Sequence, residues 1–209
     1  MPNDGNHLIN NLQIPPGAAG VFGLCYSVLT WSGVAKGFGF LSPRSWVKTA
    51  GKMFEDGHAT TFLIDLGNNE LTMTGISDGG WEFETDDLDD VDWSRNTGSS
   101  TTYVYYIGVD LNFLARYAVV KNALTGTQTE YAALWPNHRF TQTSYQNCVS
   151  HSHYLMSRLG LGYFTTQKRG WWMPSASNWM EWLKSFVPTS HGGFHWQYRK
   201  FPNTNTHIP

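Results

Sequence analysis

"GHATTFLIDLGNNELTMTGIS", residues 57–77, decides how the rest of the chain is read. Two runs rich in Thr, Ile, Leu and Phe flank Gly67-Asn68-Asn69. Such runs predict a β-hairpin, with Gly and Asn supplying the positive φ angles of its turn. A turn centred on Asn68 puts a residue near Asp78 opposite His58. Thr72, Thr74, Ile76 and Asp78 then share one face, because strand side chains alternate with a period of two. His58 therefore opens a strand held by a sheet, and Gly57 before it permits another group to come close.

The chain has 209 residues, 41% of them hydrophobic and 14% charged, which fits one globular domain rather than a disordered tail. A net charge of −2 makes no electrostatic case for nucleic acid or an anionic membrane surface. The apolar stretch "AAGVFGLCYSVLTWSGVAKGFGF" is broken by Gly and Ser and carries Lys36, so a buried segment is expected and no stable membrane insertion. "MPNDGNHLINNLQIPPG" lacks a basic region followed by an apolar one, so no signal peptide is expected. Residues 1–20 read as an arm.

Beyond the hairpin, "DGGWEFETDDLDDVDWSRNTGSS" is acidic and reads as a surface excursion, since its spacing is not that of an EF-hand. "TTYVYYIGV" predicts a strand. "DLNFLARYAVVKNAL" predicts a helix capped by Asp110 and stopped near Gly126. "SYQNCVSHSHYLMSRLGLG" predicts a second helix from about Asn147 to Gly160. Further helices are expected in "SPRSWVKTAGKMF" and "MPSASNWMEWLKSF", and a loose polar tail after Pro188.

Cys148 stands at the mouth of the second helix. A thiol there feels free N–H groups and the positive end of the helix dipole, which favour the thiolate and can hold an oxyanion. A nucleophile needs a base and a group to orient that base. His58 is the candidate base, Asp78 the first candidate orienter and Thr74 the alternative. His151 lies one turn past Cys148 and is awkwardly aimed as a base, so it reads as a substrate-lining residue. Cys148 and His151 could also begin a metal site with His153, His191 or His195, but no zinc spacing is present, so no metal or cofactor is expected.

"DGHATTFLIDLGNNE", then a strand and helix, then "YQNCVSHSHYLMSRLGLG" and "WMPSASNWMEWL" resemble the circularly permuted NlpC-like branch of the papain-fold cysteine hydrolases. Gly57-His58-Ala59, Tyr145, Asn147-Cys148 and Pro174-Ser175 carry the match, across about residues 55–186. The resemblance implies Cys148 as nucleophile and His58 as base, with Tyr145, Asn147 and His151 near substrate. It leaves the third residue open between Asp78 and Thr74. It implies an amidase or endopeptidase cutting peptidoglycan stem peptides. By analogy with type VI secretion effectors, such a toxin is made in the cytoplasm and acts in the periplasm of a target cell. An immunity protein and a secretion-apparatus partner would go with it. Two departures are the long acidic segment between His58 and Cys148 and the lack of an export signal. A lipid acyltransferase using the same pair and a non-catalytic binding module are the competing readings.

The expected fold is α+β: a small antiparallel sheet packed on the cysteine-bearing helix, in one domain of residues 1–209. The catalytic core would span about 55–186, with residues 1–55 and the aromatic C-terminal segment wrapped around it. Trp171, Trp172 and Trp196 are candidate groove walls.

Overall fold

The structure is a computed structural model, and it describes residues 12–29, 58–77, 80–88, 100–129, 148–161, 190–191 and 194–201. Its elements are β1 (Gly20–Leu29), β2 (His58–Asp65), β3 (Glu70–Ser77), β4 (Gly80–Asp87), β5 (Ser100–Val109), α1 (Leu111–Leu124), α2 (Cys148–Arg158), β6 (Ser190–His191), β7 (Phe194–His195) and β8 (Gln197–Phe201). Six strands form one sheet in the order β4-β3-β2-β1-β5-β8, with every pairing antiparallel. The architecture is α+β, and α2 packs on β2 and β3.

The hairpin forms as its turn chemistry predicts. Asp65 pairs with Glu70, and its carboxylate accepts from the backbone N–H of Gly67 at 2.9 Å and of Asn68 at 3.2 Å. Asn69 takes the left-handed conformation at φ 57°. A short Asx residue that bonds its own turn fixes the register of both strands.

Each strand offers one set of alternate residues to each side of the sheet. On the helix side, Phe22, Leu24, Leu63, Trp81, Tyr105, Ile107 and Val109 meet Phe113, Tyr117, Val120 and Leu124 of α1 and Leu155, Met156 and Leu159 of α2. The α1 residues fall at helical spacing along one stripe, and Phe22 meets the rings of Phe113 and Tyr117 at 5.4 and 6.2 Å. On the other side, Val21, Cys25, Phe62, Ile64, Leu71, Val104 and Tyr106 are covered by Leu12, Ile14 and Leu88. Each such side chain taken from water contributes roughly 1.5–3 kcal/mol, so both faces hold the sheet.

α1 is capped by Asp110, whose side chain accepts from Phe113 N at 2.8 Å. α2 ends at Gly160, which sits at φ 81°. There Leu161 N donates to Met156 O and Gly160 N to Ser157 O, the paired bonds of a Schellman motif. Arg116 of α1 adds a bond from Nη1 to Leu159 O at 3.0 Å, tying the two helices at this end.

Three expectations are corrected. The start of the acidic stretch is strand β4: Trp81 and Phe83 face the helices while Glu82, Glu84 and Asp86 alternate with them in solvent. Residues 20–29 are an inner strand, paired on both sides, and do not wrap a core built elsewhere. The C-terminal segment contributes β8 to the main sheet and the β6–β7 ladder. The sheet thus draws on residues outside 55–186. The helices expected in 42–54 and 173–186 lie outside the described residues, as do residues 1–11 of the arm. Among the described residues no helix is long and apolar enough to cross a membrane.

Candidate active site

α2 begins at Cys148, so the first free N–H groups and the positive end of the helix dipole lie at that residue. Ser150, His151, Ser152 and His153 follow, and all four are buried. The helix enters the sheet side polar and becomes apolar at Leu155, Met156 and Leu159.

Beneath it the sheet is polar too. Thr61 of β2 stands opposite Thr74 of β3, and both are buried on the helix side. Thr74 Oγ1 and Tyr117 Oη share a hydrogen bond of 3.1 Å. Burial pushes the Tyr117 phenol up to about 12, with the Thr74 bond acting the other way. Thr61 Oγ1 and Trp81 Nε1 are buried and make no hydrogen bond among the described residues.

Trp81 is the main wall from β4. Its indole lies 4.0 Å from the His151 ring, centroid to centroid, tilted by 35°. It also meets Tyr154 at 5.6 Å and stacks on Phe83 at 6.2 Å. Sequence reasoning missed Trp81. The available signal was the alternation in "WEFET", where aromatic and acidic residues take turns.

His58 is the first residue of β2 and pairs with Ser27 of β1. Phe62 and Ile64 of the same strand pack on the side of the sheet away from the helices. The β2–β3 register runs from Thr61 opposite Thr74 to Asp65 opposite Glu70. Thr74 bonds to Tyr117. Asp78, Tyr145 and Asn147 lie outside the described residues, as do Trp171 and Trp172.

His153 is enclosed, and desolvation pulls its imidazole down to about 3, so it is neutral at ordinary pH. Cys25, on the other side of the sheet, is a buried thiol pushed up to about 12 by desolvation and is unreactive packing. Trp196 is core rather than groove wall. Among the described residues no group of three or more His, Cys, Asp or Glu could hold a metal ion. His195 is exposed on β7.

Comparison with protein-family models, with curated proteins and with solved structures gives no match.

Proposed function

We propose that the chain is a cysteine hydrolase, an amidase or endopeptidase of peptidoglycan stem peptides, with Cys148 as nucleophile. One observation carries the reading: a helix that opens at Cys148 packs on an antiparallel sheet whose strand β2 opens at His58. That element order is the one expected of a permuted NlpC-like papain fold.

The chemistry is acyl transfer through sulfur. An imidazole takes the thiol proton, and the thiolate attacks the amide carbonyl carbon. The N–H groups at the start of α2 hold the oxyanion that forms. The C–N bond then breaks, the imidazolium gives its proton to the leaving amine, and a thioester remains. Water, deprotonated by the same imidazole, releases the acid and restores the thiol. The resemblance gives the base to His58 and the orienting role to Asp78 or Thr74. Tyr145, Asn147 and His151 would line the substrate. In this reading the substrate lies in the periplasm of a target cell, the protein reaches it through a secretion apparatus, and an immunity protein protects the producer.

The test is digestion of purified sacculi and of isolated stem peptides, followed by mass spectrometry of the fragments. The wild type should release fragments with new amino groups, and Cys148→Ala should release none while keeping its circular dichroism spectrum. Full activity in Cys148→Ala would sink the proposal. An acyl adduct on Cys148 after incubation with phospholipid, without sacculus cleavage, would replace it with lipid acyl transfer.

A further inference from the structure

The two ends of the main sheet differ in charge. β4 carries Glu82, Glu84, Asp86 and Asp87, all exposed, and no cation. β8 reads Gln-Tyr-Arg-Lys-Phe, with two cations and no anion. Among the described residues these are the end strands of the sheet.

The charges meet on one side. Glu82 stands opposite Gly75, Glu84 opposite Met73 and Asp86 opposite Leu71, and Met73 and Leu71 pack on the side away from the helices. Arg199 stands opposite Val104, which packs on that same side. Directly opposed residues share a face, so Arg199 and the three acids do too.

The backbone of β4 has an outer edge. Leu88 N donates to Asn69 O, toward β3, while Trp81 N donates to Thr127 O. Backbone groups of successive residues in a strand point to opposite edges, so Phe83 and Thr85 turn theirs the same way as Trp81, away from β3. Among the described residues no strand lies on that side of them.

Five antiparallel pairings lead from β4 to β8, so the end strands run in opposite directions. A second copy set beside the first with the same face up therefore lays its β8 antiparallel to β4. Arg199 of that copy falls on the face of Glu82, Glu84 and Asp86. Like ends do not match: β4 against β4 sets acid opposite acid, and β8 against β8 sets cation against cation. Alternate acids thus bar a like edge and admit a basic one.

We propose that the acidic edge of β4 takes the β8 edge of a second copy, which continues the antiparallel sheet from one molecule to the next and pairs Arg199 with the acids of β4. Each molecule keeps one β4 and one β8 to offer, so the contact is heterologous and grows beyond a dimer. Assembly of this kind is independent of the hydrolase reading.

The experiment is sedimentation velocity on the full chain, from micromolar to near-millimolar concentration. It is run at about 10 mM and about 1 M salt, where the Debye length is about 30 Å and about 3 Å. At low salt the average mass should climb with concentration past about twice that of the monomer, and high salt should reverse most of the rise. Glu82→Lys combined with Glu84→Lys should stay monomeric, as should Arg199→Glu, each with the wild-type circular dichroism spectrum. An equimolar mixture of these two variants should assemble again, because each β4 then meets a β8 of opposite charge. If a reversal unfolds the chain, Glu84→Gln, which only removes charge, should still lower the average mass at a given concentration. A wild type that stays monomeric throughout overturns the proposal, including one whose β4 edge binds a Lys-rich peptide instead. So do folded variants that assemble like the wild type, or a mixture of folded variants that fails to recover. Cys148→Ala should assemble as the wild type does, which separates loss of assembly from loss of cleavage.

Discussion

Thr74 of β3 and Tyr117 of α1 are joined by a hydrogen bond of 3.1 Å between two buried hydroxyls, a polar link between sheet and first helix. Removing one partner strands the other. Tyr117→Phe and Thr74→Val should each cost about 1–3 kcal/mol. The double variant should cost less than the sum, because no hydroxyl is then left alone in the core. Urea unfolding of the four proteins in the cycle checks this, and strict additivity would contradict it.

Thr61 presents the opposite case. Its hydroxyl is fully buried with no hydrogen bond among the described residues. Thr61→Val keeps the shape and removes the stranded polar group. It should raise stability by about 1 kcal/mol. A rise in the urea midpoint at constant slope is the expected signature, and a fall would mean that the hydroxyl has work in the folded chain.

His153 predicts an acid limb. Burial holds its folded pKa at about 3, below the ordinary 6.5 of the unfolded chain. Between those values the unfolded state binds a proton that the folded state does not, so stability falls as pH falls. From pH 7 to pH 5 this one group should remove about 2 kcal/mol. His153→Gln should flatten that part of the pH dependence, measured by denaturant unfolding at the two pH values. An equal loss in both proteins would show that another group sets the limb.

Gly23 of β1 is confined by its neighbours. A Cβ there would stand 2.5 Å from the Phe62 ring and 2.7 Å from Tyr105 O. Gly23→Ala should destabilise by roughly 1–3 kcal/mol through overpacking. Phe62→Leu in the same chain should restore part of that loss by vacating the ring's space. The thermal midpoints of the single and double variants decide it.

The parts of the fold readable from sequence are those whose signals are local. Asp65, Gly67 and Asn69 specify a turn among themselves, Asp110 caps its own helix, and Gly160 ends the next one. β4 was obscured because Glu82, Glu84 and Asp86 make the segment look like loop, although charge on alternate residues is how an edge strand stays soluble. β1 and β8 were missed for a different reason. Their partners are remote in sequence, and no neighbouring residue announces a pairing such as Cys25 with Val104. At the candidate site, composition and helix position singled out Cys148. The wall supplied by Trp81 needed the fold.

The central place of β1 also sets an order of events. Its pairing with β5 closes the whole stretch between Cys25 and Val104, and β8 then joins β5 from near the far end of the described chain. Contacts of such long range repay chain entropy only after the loop has closed, so they slow folding. The β2–β3 hairpin can form early on its own turn, and it carries the surface on which α2 packs, whereas the pairings of β1 with β5 and of β5 with β8 wait for remote segments. The face that receives α2 can therefore be laid down before the rest of the sheet is complete.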